Sequence, residues 1–70
     1  MTTVIAPMVG KILDIQVKTG QKVAEDDTVI VMEAMKMEIP VVAPVGGTVQ
    51  EIKVTPGQMV DAEQVLAVIG

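Results

Sequence analysis

Seventy residues make one domain and not a substrate cleft walled by two, and a chain this short buries only ~60% of its unfolded surface, so it needs a regular architecture. With no cysteine and no histidine it lacks disulfides, Cys-His catalysis and the usual zinc ligands, and with no Phe, Tyr or Trp it lacks platforms on which bases stack. Nine carboxylates against five lysines, with no arginine, give a formal charge of −4 that repels a phosphate backbone and excludes nucleic acid as a partner.

In chain order the apolar period is closer to 2 than to 3.6. A first strand over residues 1 to 5 runs into Ala6-Pro7. Leu13, Ile15 and Val17 then alternate with Asp14, Gln16 and Lys18, the pattern of a strand with one wet face. Thr19-Gly20 marks a turn, because glycine takes positive φ at little cost, and EDDT at 25 to 28 reads as a loop. Val29 and Val31 begin a strand over 28 to 33, a turn over 34 to 36 follows, and a further strand occupies 37 to 42. Ile52 and Val54 alternate with Glu51 and Lys53, Pro56-Gly57 turns the chain, DAEQ at 61 to 64 is a second loop, and Leu66 and Val68 open the last strand. No segment supports a helix. Residues 1–70 are therefore expected to form one all-β domain, two antiparallel sheets facing each other across a valine and isoleucine core.

The second half repeats the first. APMVGKILDIQVKTGQKVAEDDTVIVM at 6 to 32 lies without a gap over APVGGTVQEIKVTPGQMVDAEQVLAVI at 43 to 69, an offset of 37 with shared proline, glycine and valine positions. The central hairpin then corresponds to the last and first strands of the chain, and its turn to the gap where the chain begins and ends. Under two-fold symmetry Lys36 sits on a tight turn at one end and both termini lie at the other.

Lys36 is flanked by Met35 and Met37, with Ala34, Glu33 and Glu38 further out. A nucleophilic lysine needs its ammonium deprotonated, through burial or a neighbouring cation, and a turn among carboxylates supplies neither. A lysine unsuited to catalysis yet prominent suits attachment, with the chemistry belonging to the attached group. Methionine on a turn offers an adaptable apolar surface for another protein to grip. Met37 is expected to pack with Ile39 and Val41 on one strand face, while Met35 is harder to bury. The Asp26-Asp27 pair lacks the oxygen-ligand pattern of a calcium site and is read as a solvated loop, so no metal is expected.

Glu33-Ala34-Met35-Lys36-Met37 resembles the attachment motif of biotinyl domains, the biotin carboxyl carrier domains of biotin-dependent carboxylases, decarboxylases and transcarboxylases. Ala6-Pro7-Met8-Val9-Gly10, Gly20-Gln21-Lys22-Val23, Ala43-Pro44-Val45-Gly46-Gly47 and Gly57-Gln58-Met59-Val60 extend the resemblance over essentially the whole chain. It implies a flattened barrel of two four-stranded antiparallel sheets with pseudo-two-fold symmetry, and biotin in amide linkage on the ε-nitrogen of Lys36. Met35 and Met37 would be read by biotin protein ligase and tune carboxylation, Glu33 matches the acidic residue ahead of the motif, and Ala34 supplies a small side chain beside the tip. The domain would be a non-catalytic carrier, moving a carboxyl group on N1 of biotin between a biotin carboxylase and a carboxyltransferase or decarboxylase subunit.

Two alternatives stand beside this reading. Lipoyl domains share the barrel but usually carry Asp-Lys-Ala where this chain has Met-Lys-Met, and an unmodified module would use the methionine tip for docking alone. The gap-free repeat leaves no room for the protruding thumb of some bacterial acetyl-CoA carboxylase carriers, which makes the chain similar to the carriers of transcarboxylase, pyruvate carboxylase or sodium-pumping decarboxylases. MTTVIAPMVGKI lacks the basic-then-apolar layout of a signal peptide, and no apolar run approaches the ~20 residues that cross a bilayer. A monomeric domain is expected in the cytoplasm, without membrane insertion of its own, though compatible with a membrane-associated complex.

Overall fold

Alternating apolar and polar residues, cut every few positions by glycine, proline or a polar cluster, fold here as short strands and nothing else. The computed structural model describes all 70 residues and contains eight strands: β1 Thr2–Ile5, β2 Gly10–Ile15, β3 Lys22–Val23, β4 Thr28–Ala34, β5 Met37–Val42, β6 Gly47–Ile52, β7 Met59–Val60 and β8 Val65–Ile69. They form two antiparallel four-stranded sheets, β1-β8-β6-β3 and β5-β4-β2-β7. Adding 37 to the residues of β1, β2 and β3, and to residues 28 to 32 of β4, lands on β5, β6, β7 and β8, so the first sheet maps onto the second.

The core obeys the same operation. Its sixteen buried residues fall into eight pairs at that offset: Val4 with Val41, Ala6 with Ala43, Ile12 with Val49, Val17 with Val54, Val23 with Val60, Val29 with Leu66, Ile30 with Ala67, and Met32 with Ile69. Each fully buried Ile or Leu side chain contributes ~1.5–3 kcal/mol relative to exposure. No polar or charged side chain is buried among them, so the interior carries no desolvation cost to offset.

Turns repeat as faithfully as the core. Gly20 and Gly57 take φ values of 91° and 90°, and beside them the side-chain oxygens of Gln21 and Gln58 accept hydrogen bonds from the backbone N–H groups of Lys18 and Thr55 at 3.1 and 3.2 Å. In the EDDT and DAEQ segments the Asp27 carboxylate accepts from Ala24 N–H at 2.8 Å, and the Gln64 side chain accepts from Asp61 N–H at 3.0 Å. Asp27 therefore shapes its own loop.

One expectation fails locally. Ile12 pairs with Met32 but Asp14 pairs with Val31, leaving Leu13 as an extra residue in β2, and Gln50 is the matching extra in β6. Val29 and Leu66 are a second matched pair of bulges. A bulge inserts one residue and reverses the inside-outside alternation beyond it. Consequently Ile12 is in the core and Leu13 is 36% exposed, while Ile30 and Met32 face inward and Val31 is only half-buried.

The two-fold also fixes where the ends lie. Thr2 pairs with Ile69 as Ile39 pairs with Met32, so the termini occupy the place in one half that the β4–β5 hairpin occupies in the other. In a molecule of 30 × 18 × 17 Å the hairpin tip and the termini stand at opposite ends. β5 is an edge strand, and Pro40 is tolerated within it because an edge has one side with no ladder to complete.

Candidate functional site

The β4–β5 ladder continues through Glu33 opposite Glu38 and Ala34 opposite Met37, leaving only Met35 and Lys36 to turn the chain. The turn is thus two residues, one shorter than the 34–36 expected. Both have positive φ, 53° and 64°, as the tight primed hairpin turns require. Asn and Gly are the residues that suit such a turn. Met and Lys do not, and a left-handed conformation costs a side chain with a Cβ roughly 1–2 kcal/mol per residue. The other two non-glycine residues with positive φ, Asp26 and Glu63, are a matched pair at offset 37; Met35 and Lys36 have no counterpart.

What holds this strained turn is its base. Ala34 is 5% exposed, and β2 presses so closely on the hairpin that a Cβ on Gly10 would stand 2.5 Å from the Glu33 carbonyl oxygen and 2.6 Å from Met32 Cε. Glycine is required there by proximity. Above the base the side chains spread into solvent: Met35 is 84% exposed and Met37 65%. Met37 therefore does not pack with Ile39 and Val41 as expected, because it lies beyond the end of the core that buries Val41. Lys36 is exposed and makes no ion pair, the single salt bridge being Lys53 with Glu51 at 3.1 Å. Its ammonium is free to be offered outward.

Glu33 and Glu38 stand directly opposite each other across the hairpin, both exposed. Like charges in that relation are destabilising, so the acidic collar beneath Lys36 has no basis in strand pairing.

Beside the tip runs an open groove of about 330 Å³ lined by Val9, Gly10, Lys11, Glu33, Ala34, Met35, Lys36 and Met59. The structure thereby brings all five motif residues, 33 to 37, to one hairpin end and adds Val9, Lys11 and Met59 from distant parts of the chain. Sequence reasoning missed these three. A signal was present: at offset 37 the counterparts of Val9 and Met59 are Gly46 and Lys22, so each copy carries at one of these positions an exposed apolar side chain where the other carries none.

An all-β platform that presents an exposed lysine, without an ion-pair partner, on a strained two-residue turn has the form of a carrier domain. Residues 2–69 match the family model described as "Biotin-requiring enzyme", and the chain belongs to that family, to its biotin carboxyl carrier type. Over 36 residues, 51% of this chain, it is 58% identical to the biotin carboxyl carrier protein of acetyl-CoA carboxylase from Solanum lycopersicum, covering 51% of that protein. Over 36 residues, again 51% of this chain, it is 56% identical to the glutaconyl-CoA decarboxylase subunit gamma of Acidaminococcus fermentans, covering 25% of it. The crystal structure of Kluyveromyces lactis urea carboxylase contains a region that superimposes on 99% of this chain with a TM-score of 0.94 and 33% identity, and that region is 6% of the larger chain. The chain thus spans between a quarter and a half of the length of these two curated relatives.

Proposed function

We propose that Lys36 is the covalent attachment site for biotin, and that the domain carries a carboxyl group between the active sites of a biotin-dependent carboxylase, decarboxylase or transcarboxylase. The observation that carries this reading is the outward, unpaired Lys36 between two exposed methionines on a two-residue turn. Biotin bound there would supply a ring nitrogen that takes up and gives back the carboxyl group. The residues of the chain do the rest. Lys36 Nζ, unpaired with any carboxylate, loses a proton to solvent on the ligase and donates its electron pair to the carbonyl carbon of the ATP-activated acyl phosphate held there; the C–N bond forms, the C–O bond to phosphate breaks, and AMP leaves. The resulting amide makes the formal charge one unit more negative than −4. Met35 and Met37 offer the ligase an apolar grip, Ala34 keeps the base of the turn narrow, and the Glu33 and Glu38 collar favours a partner with a basic rim.

Reach comes from the hairpin and from the position of the termini at the opposite end. A chain tethered there would present Lys36 away from its anchor and visit successive sites at a high effective concentration without a tight interface. The partners we assign are the ligase and the carboxylase, carboxyltransferase or decarboxylase subunits of the parent enzyme, met by a monomeric domain in the cytoplasm.

The test is incubation of the purified chain with biotin protein ligase, biotin and ATP, and separately with lipoate ligase, lipoate and ATP, followed by intact mass and peptide mapping. One biotin on Lys36 and no lipoate is the expected result. Lipoate alone, or no addition to a folded chain, overturns the proposal.

A further inference from the structure

The internal two-fold separates what the fold requires from what it does not. Among the methionines, Met32 is fully buried and is matched in the core by Ile69. Met59 is 64% exposed on edge strand β7, and the same backbone position in the other half is filled by the exposed Lys22. Met35 and Met37, 84% and 65% exposed, flank Lys36, with Met35 and Met59 lining its groove. Three solvent-facing thioethers are therefore gathered around one lysine, none of them needed by the core. With the exposed Met1 at the other end, they are the residues on which mild oxidants would act first, since the chain has no cysteine, histidine, tyrosine or tryptophan to intercept them.

We propose that Met35, Met37 and Met59 form an oxidation site that gates acylation of Lys36. In each event a thioether sulfur attacks one oxygen of a peroxide: an S–O bond forms, the O–O bond breaks, sulfur is oxidised by two electrons, and hydrogen peroxide leaves as water. The product is a polar, chiral sulfoxide in place of a flexible apolar side chain, and sulfoxide reductases reverse it at the expense of thiols. At the tip this removes the apolar surface offered to the ligase without touching the core. Peroxide stress would thus hold newly made chains in the unloaded form. The inference rests on the biotin-attachment reading and adds to it a control on that same site.

The experiment uses the full chain before loading. It is exposed to graded hydrogen peroxide, the peroxide is removed with catalase, sulfoxides are mapped by peptide mass, and the rate of biotin incorporation by ligase is compared with that of an untreated sample. Met35, Met37 and Met59 should be oxidised well before Met32, the rate should fall at least tenfold with the unfolding midpoint in urea unchanged, and methionine sulfoxide reductases should restore it. A variant with Met35→Leu, Met37→Leu and Met59→Leu, whatever its own rate, should show equal rates before and after peroxide although Met1 at the opposite end is still oxidised. Normal loading of a chain oxidised at all three positions overturns the inference and leaves the biotin reading intact. Failure of the untreated chain to load overturns both.

Discussion

At one end of the molecule Thr2 pairs with Ile69, at the other Ile39 pairs with Met32, and from this shared register the two ends diverge. At the end bearing the termini the β1–β8 ladder closes with that pair. The other runs on through Glu33, Ala34, Met37 and Glu38 to close on Met35 and Lys36. Everything the core needs is present at both ends, since all sixteen core residues have partners at offset 37. What exists only at the hairpin end is adverse to stability in isolation: a turn whose two residues both take positive φ and are neither Gly nor Asn, and two glutamates face to face. Strain confined to one of two otherwise equivalent ends is the physical mark of a site.

Substitutions that separate the ends should do so in a definite order of size. Lys36→Arg keeps the charge and the turn but presents no amine that the ligase can acylate; biotin incorporation read by intact mass should vanish while thermal unfolding is unchanged. In the interior, Ile12→Ala should cost about 2–5 kcal/mol in urea unfolding, and the smaller Val49→Ala change at the matching position should cost less. Gly10→Ala forces a methyl group against the Glu33 carbonyl and should destabilise by about 1–3 kcal/mol, an overpacking cost, and slow ligation by disturbing the base of the hairpin. Met35→Asn puts a residue suited to positive φ on the turn, so stability should rise by up to about 1 kcal/mol while ligation slows; a gain in both would remove strain as a signature of function. Smallest, Glu63→Gly should stabilise by some tenths of a kcal/mol and Asp26→Gly by less, because Asp already tolerates the left-handed region better than Glu.

Much of this was legible in the sequence because an internal repeat is a geometric statement. The offset of 37 by itself places Lys36 opposite the termini, and glycine at 20 and 57 marks both turns. The bulges were not legible. Ile12 and Leu13 are adjacent and both apolar, so nothing in the pattern says which one faces inward; the extra residue in β2 decides it, and the alternation read from Leu13 holds at Ile15 and Val17 but fails at Leu13 itself. Val9 and Met59 were missed for a different reason. They lie far from Lys36 along the chain and meet it only because β2 lies between β4 and β7 in the sheet. Comparing the two copies position by position would have flagged both, since Gly46 and Lys22 show that neither side chain is a requirement of the backbone.

Pro40 carries a consequence for how such a domain behaves in a crowded cell. An edge strand of six residues next to an exposed apolar tip invites a neighbouring chain to extend the sheet, the first step toward aggregation. Proline within an edge strand lies with its nitrogen on the open side, so a strand laid along β5 would find a missing donor in the middle of its ladder. Partners are left with side chains to grip rather than a backbone to zip onto. Brief, repeatable encounters are the kind of contact such an edge permits.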